Sequence, residues 1–599
     1  MLAVLIAWVI ISFILLSFGN IFISLYNTIF KRRETYNLAD MFMIGIIFII
    51  IPLSLTSFFL PSNHYMMAAY FVISIIYWFF NKERLLILIK IVKDSFLKFD
   101  RDQKIALALF ILSFLFYIVW REIKFDGIYY HYQNIRWNEE YPVTPGIGNL
   151  KDQLGFNSNY CLISAIFTFR FLFHEPLYLF QDVLFTFVIG WVCIEVVNSG
   201  FKPDRIILLI LLFTFFLLNR DGLTDTSTDA VPNICIFYYI CRFTLYPNAL
   251  TKKLLLAILL PVALVTFKLS VLPLCLISVY LFFLLIKRRK YTLTFFYALI
   301  PFLILTLWLV RNVIVSGYLV YPVYQIDLFD VDWKIPRAIA EWQYGYISDW
   351  AKIVFKGFVS FRYFYNYGDI SNIDDIISFI GIVFIYIFGL FILSSPFILF
   401  WGIRRKIEIC KNIYILYCTT LCSIIYWFLS APDFRFALGS IVGMVFIILH
   451  IMLLTGGKEL VRVPAGSGIF FSFGILILFM CITRTFHFTY RVLTLPHAEE
   501  HLPLHYALLE PYSAKNYQIK EKNITTGFTE YKTKGILIYI PEDIISRSFD
   551  KLPCVSKTLY DKLQGVKVEE VVEARGPSIQ DGFHVKEEYI KRIASSLKK

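Results

Sequence analysis

Apolar stretches of about twenty residues recur along almost the whole of this 599-residue chain. Each is long enough to cross a hydrocarbon core about 30 Å thick. Backbone inside lipid must satisfy its own hydrogen bonds, so such stretches fold as helices. That property narrows the chain to an all-α polytopic membrane protein. Composition agrees, with 58% of residues hydrophobic and 17% charged, against about 25% charged in soluble proteins. Residues 1–30 read as a first span rather than a signal peptide. No basic segment opens them, the apolar run is long, and Lys31-Arg32-Arg33 closes it.

The spacing of the runs predicts about fourteen spanning helices. They fall near Leu2–Tyr26, Leu38–Leu60, Tyr65–Phe80, Ile105–Trp120, Leu177–Val197 and Ile206–Leu218. A seventh reaches Lys252, and an eighth and ninth divide at Phe267-Lys268-Leu269-Ser270. Tyr291–Val315 follows, then three that end near Arg404, Ser430 and Lys458, and a last one over Gly468–Thr483. A basic amphipathic stretch, Leu85–Lys104, precedes the fourth. If the N-terminus lies outside, the basic clusters at Lys31, Lys82, Lys202, Lys252, Lys287, Arg404 and Lys458 all face the cytoplasm, as the positive-inside rule requires. The net charge of +13 then reports membrane topology, not nucleic-acid binding. Two long polar loops, 121–176 and 316–375, and a polar tail fall on the outer face of the inner (plasma) membrane. Ile206–Leu218 and the eighth segment are short, and loss of either reverses the sidedness of everything after it.

Three parts result: N-terminal helices (1–120), a transmembrane core carrying both loops (121–485), and a small α+β extracytoplasmic C-terminal domain (486–599). Alternation predicts strands in the last part at Gly535–Pro541 and Val566–Val572. Nine of the ten cysteines lie in or beside apolar segments, and no CxxC pair suggests a zinc site or a disulfide framework.

The first long loop breaks abruptly into charge, aromatics and turn residues. Asp126 opens it, ahead of Gly-Ile-Tyr-Tyr-His-Tyr-Gln-Asn-Ile-Arg-Trp-Asn-Glu-Glu-Tyr. One reading makes Asp126 the N-cap of a short interfacial helix with Ile128, Tyr132 and Ile135 on one face. The other makes it a general base at the mouth of a cleft. A capping aspartate can serve both. His131, Arg136, Trp137 and Asn157 are the loop's candidate substrate contacts. Tyr129, Tyr130, Tyr132, Trp137 and Tyr141 equally suit an aromatic belt. Asp225 and Asp229 stand four apart in a short acidic loop and are candidates for a second acid. Oxygen ligands suit Mg or Mn, but two carboxylates fall short of a ligand set. Lys268, Arg311 and Arg435 are cations at outer helix ends, against the trend of the chain. Such side chains ordinarily snorkel, yet a phosphate leaving group needs cations at this depth. In the second loop Trp333, Trp342, Tyr344 and Trp350 suit sugar stacking or an amphipathic surface helix.

These motifs resemble those of the GT-C superfamily of integral-membrane glycosyltransferases. The likeness rests on Asp126 in Phe-Asp-Gly-Ile-Tyr-Tyr-His-Tyr and the acidic loop of Asp225 and Asp229. It rests also on Trp308-Leu-Val-Arg311-Asn312 with Gly317-Tyr-Leu-Val-Tyr-Pro322, and on Ala431-Pro-Asp-Phe-Arg435-Phe. The loop is also similar to those of uncharacterised bacterial multi-pass proteins. The resemblance covers about 126–436. It implies a polyprenyl-phosphate sugar as donor, a glycan or lipid hydroxyl as acceptor, inversion at the anomeric carbon, Asp126 as base, and Arg311 and Arg435 on the lipid phosphate. The chain departs from the pattern in two ways: three segments precede the one leading to Asp126, and no second acid follows Asp126 directly. A transporter or flippase of lipid-linked glycans, or a polymerase, is the competing expectation. A transporter favours deep ionisable residues and paired halves. Here only Glu195 and Arg242 stand mid-segment, and no repeat is visible.

Overall fold

The computed structural model describes residues 1–119, 124–360, 362, 373–404, 409–455, 468–472, 474–475, 527–542, 550–555 and 568–597. Among them, nine helices have the length and composition to cross a membrane. These are Leu2–Ile29, Leu38–Thr56, Arg101–Val119, Phe180–Asn198, Leu269–Lys287, Tyr291–Ser316, Phe379–Gly402, Lys411–Ser430 and Leu438–Thr455. Three shorter apolar helices join them: His64–Phe80, Ala230–Leu245 and Leu254–Val265. The helix Pro203–Thr224 packs against Phe180–Asn198 and Leu438–Thr455. Most of the expected fourteenth span, Trp120, the basic residues Arg405, Lys406, Lys458 and Arg462, and the tail over 486–526 lie outside the described residues.

Side-chain oxygens set several helix starts. Asn37 accepts from the Asp40 amide at 2.7 Å, and Asn63 from that of Tyr65 at 3.1 Å, each satisfying an orphan donor of the first turn. The bundle has two chemically distinct ends, and the short helix Leu254–Val265 shows it. Before this helix, Lys253 adjoins Arg32, Arg33, Arg288 and Lys290 around one pocket. After it, Lys268 pairs with Asp229. Its 12 residues rise about 18 Å, so it connects the two ends despite its length. The returning segment Leu269–Lys287 begins as a 3-10 stretch, Leu269–Leu274, and ends beside Arg288. The eighth and ninth expected segments are thus a real hairpin, divided where the sequence places the break.

Glu195 and Arg242, expected mid-segment, stand instead in the last turns of Phe180–Asn198 and Ala230–Leu245, and both are partnered. Arg242 lies 3.6 Å from Asp40, whose other oxygen accepts from Tyr238 at 2.6 Å. Glu195 accepts from Tyr246 at 2.6 Å. Buried charge is tolerated when so paired.

The C-terminal residues form two small antiparallel pairs, β1 (Phe528–Thr533) with β2 (Ile536–Pro541), and β3 (Val572–Ala574) with β4 (Phe583–Val585). The expected strand at 535–541 is present. Of the strand expected over Val566–Val572, residues 566–567 lie outside the described residues, Val568–Val571 is a helical turn, and β3 starts at Val572. Among the described residues, these strands share their core with the two loops. Ile538, Val572 and Phe583 share one apolar cluster with Trp137, Ile147 and Leu150 of the first loop and with Tyr318, Ile335 and Ile339 of the second. The seam is tight. Gly146 (φ +65°) and Gly582 (φ +92°) both hold left-handed backbone. A Cβ on either would meet the opposing carbonyl, 2.1 Å from Phe583 O and 2.2 Å from Pro145 O. Phe583 N donates to Pro145 O at 3.0 Å, and Arg575 grips Asp332 with two bonds of 2.7 and 3.1 Å.

Candidate functional site

Four segments meet at the end of the bundle opposite the basic pocket. The first is the entry to the long loop, where a π turn spans Gly127–His131. Such turns widen the helix and concentrate at functional sites. Asp126 precedes it with helical backbone (φ −61°, ψ −34°), and its side chain caps nothing. The N-cap reading of Asp126 is thereby corrected, because a cap requires extended backbone at that residue. Its carboxylate instead accepts from Arg435 Nη1 at 2.8 Å. The two side chains are 38% and 47% exposed respectively, so the pair is open to an incoming molecule.

Arg435 sits in a 3-10 turn, Phe434–Phe436, between two spanning helices. Asp433 caps that turn, accepting from the Arg435 amide at 3.1 Å, and its other oxygen lies 2.9 Å from Arg435 Nε. The guanidinium thus bridges two carboxylates by different edges. The Phe436 ring lies under both Arg435 (5.1 Å) and Lys268 (3.8 Å), which brings the two cations together. Lys268 pairs with Asp229. Burial and the neighbouring Arg435 push the Lys268 ammonium well below its ordinary pKa, while Asp433 and Asp126 pull it up.

Asp225 supports the site from beneath. Its buried carboxylate accepts from the amides of Lys124 (2.8 Å) and Thr226 (2.7 Å) and from the Tyr132 hydroxyl. A Cβ at residue 127 would lie 2.3 Å from Asp225 Oδ2, so only glycine fits beside it. Asp225 therefore fixes the backbone on either side of Asp126.

His131 is buried in the same region. Nδ1 meets the Thr226 carbonyl at 3.0 Å, which makes it the protonated nitrogen. Nε2 is buried and has no hydrogen-bond partner among the described residues. Burial pushes the imidazole pKa down to about 4, with Asp126 opposing and Lys268 and Arg435 assisting.

The other expected residues lie elsewhere. Arg311 is buried, and its guanidinium reaches three neutral oxygens: Asn157 Oδ1 at 3.2 Å, Asn138 Oδ1 at 2.9 Å, and Ser57 Oγ. Asn157 also accepts from Trp308 Nε1 through its carbonyl, at 2.6 Å. Arg311 and Asn157 thus tie the first loop to two spanning helices, and a narrow pocket opens beside them between Trp137, Tyr141 and Thr144. Arg136 pairs with Glu140. Trp137 packs edge-on to Phe583, centroids 6.1 Å apart. In the second loop, the helix Arg337–Val359 buries Ile339, Ala340 and Ala351 and exposes Tyr344 and Trp350, which is the amphipathic arrangement. Trp333 donates to Val313 O at 3.1 Å and lies under Arg575, in the C-terminal seam.

Sequence reasoning missed the role of Asp433, whose spacing of two from Arg435 is the signal that could have found it. It missed Gly127 as well, although a glycine directly after Asp126 marks a close approach. Among the described residues no group of three or more His, Cys, Asp or Glu is placed to hold a metal ion.

A family model described as Domain of unknown function (DUF8201) matches residues 1–442. The match takes in Asp126, Asp225, Asp229, Lys268, Arg311 and Arg435 and leaves out the C-terminal strands. No curated protein and no solved structure matches the chain.

Proposed function

The chain belongs to the DUF8201 family, whose description states no activity, and from that premise we propose that it is a membrane glycosyltransferase. It moves a sugar from a polyprenyl phosphate to a hydroxyl of a cell-surface glycan or lipid, at the outer face of the inner membrane. One observation carries this reading: an open carboxylate, Asp126, paired with Arg435 beside a second cation, Lys268, where helices of spanning length end. Glycosyl transfer to a hydroxyl asks for that set. A base takes the acceptor proton, and cations take the charge on the departing phosphate.

The resting ion pair suits a two-partner exchange. An arriving lipid phosphate competes with Asp126 for Arg435 Nη1, while Asp433 keeps hold of Nε. Asp126 is then free to accept the acceptor's proton. The acceptor oxygen forms the new bond to the anomeric carbon, and the bond from that carbon to the phosphate oxygen breaks. The phosphate leaves with the electron pair, against Arg435 and Lys268. Single displacement inverts the anomeric centre. Arg311, enclosed by neutral acceptors, serves here to hold the loop. A divalent metal has no step in this scheme.

The test is a transfer assay with radiolabelled polyprenyl-phosphate sugar and full-length protein in nanodiscs. Label should pass to an acceptor glycan or lipid, and Asp126→Asn should lower the rate by about 10²–10⁴ with melting unchanged. Translocation of the intact donor in liposomes without cleavage would replace this reading with that of a flippase.

A further inference from the structure

The end of the bundle opposite Asp126 holds a second feature. Three loops that are far apart in sequence close around one cavity of about 480 Å³. They are the loop after Leu2–Ile29, the one before Leu254–Val265, and the one between Leu269–Lys287 and Tyr291–Ser316. The lining carries six cations, Arg32, Arg33, Lys252, Lys253, Arg288 and Lys290, against the single carboxylate of Glu34. That carboxylate is already engaged by Arg32 at 2.6 Å and by the Tyr36 hydroxyl at 2.7 Å. Lys253 turns to the Thr35 carbonyl and the Tyr36 ring. Arg33, Lys252, Arg288 and Lys290 meet no carboxylate among the described residues.

We propose that this pocket binds the phosphate of an anionic phospholipid. Four uncompensated cations converging on one concavity repel each other, and that repulsion falls when an anion enters. Guanidinium forks and ammonium groups suit phosphate oxygens. A phosphate-bearing anion is therefore the shared chemistry, and the wall selects its source. Leu254, Leu281, Leu284 and Leu285 complete the lining, and on the two helices that Arg288 and Lys290 join, the neighbouring Phe283, Ile286, Tyr291 and Phe295 are exposed. A soluble phosphate would leave those four exposed apolar side chains uncovered, whereas the acyl chains of a lipid held by Arg288 and Lys290 lie along them in the bilayer. Basic pockets between spanning helices hold lipid head groups in this way. The occupant joins the first two helices to the hairpin over 254–287, clamping the end of the bundle that carries no chemistry in the proposed reaction. The inference does not depend on that reaction.

The test is native mass spectrometry of the full-length protein, titrated with phosphatidylglycerol and, separately, with phosphatidylcholine. The wild type should retain one phosphatidylglycerol preferentially. Lys252→Gln with Arg288→Gln and Lys290→Gln should weaken that binding by about fivefold per cation, on the order of a hundredfold in all. A control removing equal charge elsewhere, Arg337→Gln with Lys352→Gln and Lys356→Gln, should leave it unchanged. Equal loss in both triple variants, or equal retention of both lipids, overturns the site. Displacement of the lipid by millimolar glycerol 3-phosphate overturns the lipid in favour of a soluble phosphate. If the triple variant does not insert, Arg288→Gln alone, at an exposed helix end, carries the same comparison.

Discussion

Arg435 reaches Asp126 with one nitrogen and Asp433 with another, and lysine has a single nitrogen to offer. Arg435→Lys therefore loses the planar fork whose two edges meet the two carboxylates separately. Under the proposed chemistry it should lose transfer nearly as badly as Arg435→Ala, by about tenfold to a hundredfold for one charge-assisted bond of about 1.5–3 kcal/mol. Kinetics against donor concentration decide this, and wild-type behaviour of the lysine variant would remove Arg435 from the phosphate site. His131 makes a separate prediction about pH. Its folded pKa, about 4, lies below the usual value of about 6.5. Between those values the unfolded chain binds a proton that the folded chain refuses. Stability from this group is therefore complete above pH 6.5 and drains away as pH falls through 4, by about 3 kcal/mol in total. Melting of wild type against His131→Gln over that window should show the steeper fall in the wild type, and parallel curves would rule the effect out. At this scale the sequence was informative about candidates and silent about partners. Asp126, Asp229, Lys268 and Arg435 were all legible as ionisable groups at helix ends of one side. The three oxygens around Arg311 come from residues 57, 138 and 157, and no local pattern encodes such a convergence.

Among elements, the π turn at Gly127–His131 decides where Asp126 points. Helical spacing of Ile128, Tyr132 and Ile135 correctly marked a helix here, but period alone does not distinguish an α from a π turn. The cap expectation failed for that reason: the helix begins before Asp126, at Phe125, so Asp126 is inside it. The turn is held by the approach of Asp225 to Gly127, and this too is testable. In Gly127→Ala the new methyl would sit 2.3 Å from Asp225 Oδ2. Asp225 is anchored by two amides and a hydroxyl and cannot move away cheaply. The substitution should cost about 1–3 kcal/mol, as overpacking does. Combined with Asp225→Ala it should cost much less than the sum of the two single changes. Thermal melts of the four proteins measure the coupling, and additive effects would show that the contact does not hold the turn. The hairpin over 254–287 teaches the opposite lesson. Its first helix is only 12 residues long, so it falls short of a full span by length although it is strongly apolar. The break at Lys268 was nonetheless readable, because a cation between two apolar runs rarely sits mid-span.

For the molecule as a whole, the C-terminal strands change what the loops are. Composition and alternation suggested a separate α+β domain, and a sequence pattern does not report whether a small sheet finds its own core or borrows one. Among the described residues the strands form two two-stranded pairs, and an isolated pair of strands is marginally stable at best. Here they complete a cluster with Trp137 and Leu150 on one side and Tyr318 and Ile339 on the other. The first loop is thus anchored at three places, by Asp225 near Asp126, by Arg311 at Asn138 and Asn157, and by the Gly146–Gly582 seam between them. Gly582→Ala tests the anchor at the seam. Its φ of +92° is strained for alanine, and its Cβ would lie 2.2 Å from Pro145 O. Strain of this kind costs about 1–3 kcal/mol, enough to open a seam whose polar links are few. Arg575→Ala attacks the same seam by a different route, removing the two bonds to Asp332. Both variants should expose residues 141–156 and 318–336 to protease while the spanning helices stay protected. Both should lower transfer although every residue around Asp126 is unchanged, because the loop that carries Asp126 would keep its anchors at Asp225 and Arg311 but lose the one at the seam. Limited proteolysis read by mass spectrometry, alongside the transfer assay, tests the coupling. Cleavage of the loops with full activity would show that the seam protects the loops without positioning the site. Unchanged protection in both variants would show that the borrowed core does not hold the loops at all.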